Sequence, residues 1–232
     1  NSVRGQGNLA LNLFAQQSLY SHAPLEKVLA EYFADAPLDD AVTKTFVTCY
    51  DIQSREPVFL KSWKEEHRAV PMAYAARATS AAPTFFEPAL VRVGDSMRAL
   101  IDGGVFVNSP AVSAYAEARK IFPDETEFFV LSLGTGELTR PIAYDKAKDW
   151  GKAEWLPEVL SCMFDGMEDA ACYQMRMFLG ESFIRLQTDL SIASDDMDAA
   201  SEENIGRLRA EAKKLLDTHR RELDEACRLL AM

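Results

Sequence analysis

Cationic side chains are the scarcer of the two charged classes in this sequence. Among 232 residues there are 25 Lys and Arg against 36 Asp and Glu, which gives a net charge of −11. Nucleic-acid binding needs clustered Lys and Arg against the phosphates, so this composition argues against a nucleic-acid partner. The same charge is repelled by anionic lipid headgroups, so contact with a membrane would need a local apolar or basic patch.

Histidine and cysteine are also scarce, with three and four residues respectively. The histidines lie far apart in the sequence, and neither they nor the cysteines have the close spacing of a metal-binding motif. We therefore expect no metal site and no cofactor. We expect the thiols to be reduced and buried, as in a cytoplasmic protein.

Long apolar runs are missing as well. No stretch of about 18 or more apolar residues could form a membrane-spanning helix, and no signal-peptide pattern opens the chain. The first residue is Asn1, which indicates a processed chain or the remainder of a longer one. Hydrophobic residues still make up 48% of the sequence, enough for one substantial core. We expect a single domain over residues 1–232, cytoplasmic, with peripheral membrane contact left open.

Strands and helices alternate along the sequence, which predicts an α/β fold. Apolar residues at helical spacing predict helices over 24–34, 70–79, 110–121, 158–179 and 202–230, the last capped by Ser201. Aromatic, β-branched or alternating runs predict strands over 45–50, 57–60, 89–93, 97–101, 128–133 and 183–186. The second pair of strands forms a hairpin, and 128–133 is a parallel strand buried on both faces. Loops are predicted over 61–67, 140–157 and 191–200. For 61–67 a solvated loop is favoured over a patch that faces lipid headgroups.

The most informative stretch runs from Ile101 to Pro110. A mostly apolar strand, 97–101, is followed directly by Asp102, Gly103 and Gly104. Glycine permits backbone angles and close approaches that a side chain forbids, so the carboxylate is presented at a strand end with nothing bulky after it. Ligands gather at such edges of open α/β sheets. Taken alone, the stretch is more typical of an acidic turn before glycine than of a catalytic group.

Four further segments, together with this turn, resemble the patatin-like phospholipase family in order and spacing. The most specific is the run Ala-Thr-Ser-Ala-Ala-Pro at 78–83, inside the segment 75–88. The others are Leu131–Gly136, Phe183–Gln187 and Met197–Ile205. The resemblance extends from about the Phe46 strand to the C-terminus.

This resemblance implies a patatin-like three-layer α/β/α sandwich, of which the chain supplies the C-terminal portion. It also implies that Asp102, in the family's Asp-Gly-Gly/Ala turn, is the base of a Ser-Asp dyad. Such a dyad hydrolyses the acyl esters of a lipid or phospholipid substrate. Thr79, Ser80, Pro83 and Asn108 become candidates for lining the substrate pocket.

The family's nucleophile motif, Gly-x-Ser-x-Gly, is absent from this sequence. Ser132 lacks the preceding glycine, and Gly5 and Gly7 have no serine between them. We therefore expect an upstream segment of the same protein to supply the nucleophile and the oxyanion hole, and the chain alone to be inactive. The alternative is a catalytically inactive lipid-binding or regulatory module. A general carboxylesterase is disfavoured, because its late histidine belongs in an active-site loop whereas His219 lies in a predicted helix.

Three smaller features keep alternatives open. The Gly-Thr-Gly of 134–136 follows a strand but lacks the third glycine of a dinucleotide loop, so a structural turn is favoured. Trp150 and Trp155 either cover the core, which we favour, or form a lid or a bilayer contact. Arg77 remains open as a distant ionic partner for Asp102.

Overall fold

The structure is a computed structural model that describes residues 18–230. Its packing divides the chain into two compact units, residues 1–108 and 109–232, and each is described by itself. The prediction of a single domain over the whole chain stays a prediction. Within the described residues, none of the helices combines the length and the apolar composition that crossing a bilayer requires.

The first unit is built on a four-stranded antiparallel sheet. Its strands are β1 (Phe46–Asp51), β2 (Glu56–Lys61), β3 (Ala89–Val93) and β4 (Ser96–Asp102), in the order β2-β1-β4-β3. All four predicted strands of this unit are confirmed. The predicted hairpin is confirmed too, with Gly94 at a positive φ of 56° between β3 and β4.

Helix α1 (Ala23–Phe33) contacts a second helix, α3 (Met72–Thr79), which packs on one face of this sheet. The short helix α2 (Glu65–Arg68) contacts β2, and a 3₁₀ turn lies at Leu38–Asp40. The alanines of α3 pack closely on the sheet, where Ala75 and Ala78 join Cys49, Leu60 and Leu100 in the core. Small side chains let the helix backbone approach the strands, as the alanine-rich sequence predicted.

The other sheet face carries a row of half-buried aromatic rings. Side chains alternate along β1, so Cys49 points to the helices while Phe46 and Tyr50 point away. Phe59 contacts both Phe46 and Phe106, with ring centroids 5.8 Å and 5.7 Å apart. Tyr50 extends the row to Phe106 at 6.2 Å.

The predicted loop over 61–67 is wrong at its C-terminal end, where α2 begins at Glu65. His67 is buried, and its Nδ1 accepts a hydrogen bond from the Lys61 N–H at 3.2 Å. The imidazole thus supplies an acceptor to the last residue of β2, and burial lowers the pKa of His67. This contact orders a stretch whose charged residues suggested a solvated loop.

The second unit contains a two-stranded parallel sheet and several helices. Strand β5 (Val130–Leu133) pairs with β6 (Phe183–Leu186), and the helices are α4 (Ala111–Ile121), α5 (Tyr144–Ala147), α6 (Lys152–Leu179), α7 (Glu202–Thr218) and α8 (Arg220–Leu230). The parallel strand is confirmed, and with it the mixed α/β class. Its burial on both faces is wrong: Val130–Ser132 are half-buried and Leu133 is exposed.

Two helix predictions in the second unit need correction. The first half of the predicted loop 140–157 holds α5, and α6 begins at Lys152 instead of 158, after Gly151 donates its N–H to the Glu154 carboxylate at 3.1 Å. The predicted helix 202–230 is two helices, because His219 leaves helical geometry with φ −104° and ψ 30°. Asp217, Thr218 and His219 are consecutive weak helix formers, which explains the break.

Helix α7 holds the acidic loop 191–200 through polar contacts. Its N-terminus is capped as predicted, with the Ser201 hydroxyl accepting from the Asn204 N–H at 3.2 Å. Buried Glu211 accepts from the N–H and the hydroxyl of Ser191 at 2.8 Å and 2.7 Å, and from the Ile192 N–H at 3.0 Å. The apolar spacing that predicted this helix placed Ile205 on its buried face. That placement is wrong, since Ile205 is exposed while the polar residues Asn204 and Glu211 are buried.

Candidate active site

Asp102 lies at the end of β4, as the sequence predicted. It pairs with Cys49 of β1, and its backbone N–H donates to the carbonyl of Ala81 at 3.1 Å. The Ala-Thr-Ser-Ala-Ala-Pro run, which begins in the last turn of α3 and continues past its end, is therefore in direct contact with the residue expected to be the base. The sheet around Asp102 is antiparallel, so the rule about the carboxyl ends of parallel strands does not apply to it. Asp102 is instead positioned by the end of β4 and by its backbone hydrogen bond to Ala81.

The carboxylate of Asp102 is held at one oxygen. Its Oδ1 accepts a hydrogen bond from the Gly104 N–H at 2.8 Å. Burial raises the pKa of Asp102, and the hydrogen bond from Gly104 partly offsets this effect. Within residues 18–230 no cationic side chain forms an ion pair with this carboxylate. The group is fixed in place without being neutralised.

Arg77, the open distant partner, is committed elsewhere. The buried guanidinium lies 3.4 Å from the Glu26 carboxylate, measured between Nε and Oε1, and donates to the Glu87 carbonyl at 2.8 Å. Burial lowers the pKa of Arg77, and Glu26 opposes that shift. Its contacts tie α1 to the segment before β3, so Arg77 serves packing in the first unit.

The two glycines after Asp102 have different surroundings. A Cβ on Gly103 would lie 2.3 Å from the Thr48 Oγ1 and 2.5 Å from the Thr48 carbonyl carbon. The nearest atom to a Cβ on Gly104 would be the Asp102 Oδ1 at 3.3 Å, followed by the Asp102 Cγ and the Asn108 Oδ1, both at 3.9 Å. Neither glycine has a positive φ. Close approach, and not an unusual backbone angle, is what requires glycine at 103.

Thr79 reaches the same turn through Thr48. The Thr79 hydroxyl donates to the Thr48 carbonyl at 2.8 Å, and the Thr48 side chain faces Gly103. Ser80 is the C-cap of α3, half-buried, with its N–H on the Ala76 carbonyl at 3.1 Å. Thr48 was not singled out from the sequence, because only the pairing of β1 with β4 shows that it contacts the turn.

Pro83 and Asn108 are both exposed. Asn108 lies beside Gly104, whereas Pro83 belongs to a turn in which Thr84 adopts a positive φ of 75°. The structure thus brings Thr79 and Asn108 to the Asp102 turn and puts Pro83 on a neighbouring surface turn. The pocket-lining role of these residues and of Ser80 stays a prediction.

Cys49 is a neighbour of Asp102 that sequence reasoning did not connect with it. Burial, reinforced by the negative charge of Asp102, raises the pKa of the Cys49 thiol to about 12. The group is a neutral thiol near pH 7, and nucleophilic attack by cysteine requires the thiolate. The Cys49 thiol, on the residue of β1 that pairs with Asp102, therefore cannot substitute for the serine nucleophile of a Ser-Asp dyad.

The Asp102 turn lies in a part of the chain that matches a known family. Residues 1–115 match the family model described as patatin-like phospholipase. Over these 115 residues the chain is similar to the patatin-like phospholipase family. The matched region contains both the Ala-Thr-Ser-Ala-Ala-Pro run and the Asp102 turn, and it also includes residues before Phe46. The family-model match ends before the other three segments of the sequence resemblance, Leu131–Gly136, Phe183–Gln187 and Met197–Ile205.

Curated patatin-like proteins align over more of the chain. Patatin-like protein 3 of Arabidopsis thaliana is 28% identical over 215 residues, covering 78% of this chain and 50% of its own length. Patatin-like protein 4 of Arabidopsis thaliana is 28% identical over 236 residues, with 86% and 58% covered. Patatin-like protein 2 of Oryza sativa subsp. indica is 27% identical over 235 residues, with 85% and 58% covered. The chain thus spans about half the length of the curated relatives that it matches.

Proposed function

We propose that the complete patatin-like protein is a lipid acyl hydrolase of the phospholipase A type, with Asp102 as the base of a Ser-Asp dyad. The observation that carries the proposal is the state of the carboxylate. It ends a strand, is oriented by the Gly104 N–H at 2.8 Å, and has a pKa raised by burial. A base needs this combination of fixed geometry and retained basicity.

In the proposed reaction a serine of an upstream segment attacks the acyl carbonyl while Asp102 takes its hydroxyl proton. The tetrahedral intermediate then expels the lipid alcohol, which receives the proton from Asp102. Water attacks the acyl-serine with the same proton relay, releasing the fatty acid and restoring the serine. Backbone N–H groups of the upstream segment would stabilise the oxyanion.

The contacts of the histidines support proton transfer without an imidazole. His67 accepts from the Lys61 N–H, and the His22 imidazole lies against the carboxylates of Glu26 and Glu87. His219 lies between α7 and α8 beside Glu222, at 3.4 Å. Each histidine has a structural partner, which weakens the carboxylesterase alternative.

The decisive experiment compares Asp102→Asn with Asp51→Asn in the complete protein. Asp102→Asn keeps the shape and removes the basicity, so phospholipid hydrolysis should fall by a factor of about 100 to 10,000 with the fold intact. Asp51 is also a strand-end carboxylate of the sheet, but it is buried, accepts from the Gln53 N–H at 2.9 Å and pairs with Arg98 at 3.3 Å.

Asp51→Asn should therefore lower the thermal midpoint while leaving the rate per folded molecule unchanged. The proposal fails if Asp102→Asn unfolds the protein but the folded fraction retains full specific activity. It also fails if both variants lose the same activity for the same loss of stability.

We also propose that the 232-residue chain alone does not hydrolyse esters, because it has no Gly-x-Ser-x-Gly. Turnover of a p-nitrophenyl ester by the purified chain, abolished by Asp102→Ala, would contradict this. The absence of that motif also keeps the second candidate, an inactive lipid-binding or regulatory module. Lipid binding by the complete protein with no hydrolysis would favour that candidate.

We propose a cytoplasmic location as well. The four cysteines are free, as is usual in a reducing compartment. The expectation that all four are buried is wrong for Cys162 and Cys227, which are exposed. Cell fractionation tests this, and recovery of the protein only from a secreted fraction would contradict it.

A further inference from the structure

The N-terminal half of α6 exposes an unusually apolar side. Six side chains at i, i+1, i+4, i+5, i+8 and i+9 are between 37% and 52% exposed: Trp155, Leu156, Val159, Leu160, Met163 and Phe164. This spacing places them on one side of a helix. We call this set the α6 apolar face.

The opposite side of the same helical turns is polar. It consists of Glu154, Glu158, Ser161 and Asp165. The first buried residues of α6 are Ala171 and Cys172, so the core of the second unit begins only after the apolar face has ended. The apolar face is therefore not explained by the core of its own unit, and isolated exposed apolar residues would not show this one-sided order.

Aromatic side chains lie at the N-terminal end of this face. Trp150 and Trp155 contact each other edge to face, with ring centroids 5.2 Å apart. Tyr144, one helix earlier, is 80% exposed. The interpretation that both indoles cover the core is wrong for Trp155, which is exposed. Tryptophan and tyrosine concentrate where a protein meets the headgroup region of a bilayer, because their rings are apolar with one polar atom.

We propose that the α6 apolar face is a contact surface for a zwitterionic lipid bilayer. The charges around this face favour a zwitterionic bilayer over an anionic one. Residues 144–166 contain three lysines and five carboxylates, and Lys148 is already paired with Asp145 at 3.2 Å. Charges of both signs complement a headgroup that carries phosphate and a quaternary ammonium, whereas the net negative charge opposes an anionic leaflet. The choice of a lipid as occupant rests on the proposed function.

The geometry corresponds to an amphipathic helix lying in the plane of the interface. Such helices insert aromatic and aliphatic side chains to the level of the acyl-chain boundary and leave the polar side in water. Here Leu156 and Leu160 would enter, while Glu154, Glu158 and Asp165 stay solvated. This surface would bring the protein to its substrate without a spanning segment.

The test uses the 232-residue chain and vesicles of diether phosphatidylcholine, which has no acyl ester to hydrolyse. Leu160→Glu places a charge in the apolar face, and its matched control, Ser161→Glu, adds the same charge at the next position on the polar side. Sedimentation with vesicles gives the partition constant, and tryptophan emission reports burial of the indoles. We expect Leu160→Glu to weaken partition by about tenfold or more and Ser161→Glu to weaken it by less than about threefold.

Binding is measured without turnover, so its result is independent of Asp102. The proposal is overturned if the wild-type chain ignores these vesicles, if it prefers anionic vesicles, or if the two variants bind equally. It is also overturned if the face instead joins two copies of the chain, seen as a dimer by sedimentation equilibrium that Leu160→Glu dissociates in the absence of lipid.

Discussion

Replacing Gly103 by alanine should destabilise the fold because the added methyl group would collide with a single residue, Thr48. The added Cβ would lie 2.5 Å from the carbonyl carbon and 2.3 Å from Oγ1 of that residue, closer than real Cβ atoms approach. The hydroxyl could rotate away, but the carbonyl carbon belongs to β1, which is paired with β2 on one side and β4 on the other. The backbone must therefore move.

Forcing extra atoms into a packed site typically costs about 1–3 kcal/mol. A chain of this length loses about 2–4 °C of midpoint per kcal/mol, so we expect the thermal midpoint to fall by about 2–12 °C. Circular dichroism or calorimetry measures this. Gly104→Ala is the matched control, because its nearest neighbour is the Asp102 Oδ1 at 3.3 Å; it should stay within about 2 °C of wild type.

A double variant separates the backbone contact from the side-chain contact. Thr48→Ala removes Oγ1 but leaves the carbonyl carbon, so it should not restore the stability of Gly103→Ala. Equal midpoints for Gly103→Ala and Gly104→Ala, or full rescue by Thr48→Ala, would show that the close approach of β1 to the turn is not what requires glycine.

Three further predictions concern titration and reactivity. Because burial raises the pKa of Asp102, its ionisation opposes folding; Asp102→Asn should raise the midpoint at neutral pH, and the gain should shrink as acid protonates the wild-type carboxyl. Hydrogen bonds from Ser191 lower the pKa of Glu211, so the stabilisation by its carboxylate is present at neutral pH and is lost in acid. Glu211→Gln should therefore lower the thermal midpoint at neutral pH but much less in acid. The control, Glu203→Gln at an exposed position, should leave the midpoint unchanged at both pH values. A thiol reagent at mildly alkaline pH should label two of the four cysteines rapidly and the other two, Cys49 and Cys172, only after unfolding. These assignments would be contradicted if the difference in thermal midpoint between variant and wild type did not change with pH, or if all four thiols were labelled at the same rate.

The local parts of the structure followed from sequence patterns. The hairpin of β3 and β4 was predicted from alternating residues around Gly94, and the strand end at Asp102 from an apolar run stopped by two glycines. The Ser201 cap was predicted from a hydroxyl before two glutamates. In each case the cause lies within a few residues, so it is visible in one stretch of sequence.

Contacts between distant segments were not predictable in the same way. Thr48 and Cys49 reach the Asp102 turn only because β1 pairs with β4, and no spacing in the sequence encodes that register. Glu211 carries no signal in the apolar spacing that predicted its helix, yet it holds a loop 20 residues earlier in the chain. Polar side chains that replace backbone partners, such as His67 for Lys61, do not follow hydrophobic periodicity.

The unequal clearances at 103 and 104 also bear on how related sequences should be searched for. A methyl group fits at 104 with a displacement of a few tenths of an ångström, whereas at 103 it meets backbone. A signature for this turn should therefore demand glycine immediately after the aspartate and admit alanine at the following position. In a protein with a larger residue directly after the aspartate, β1 would have to lie farther from the turn. Such a sequence could be excluded from the search before alignment.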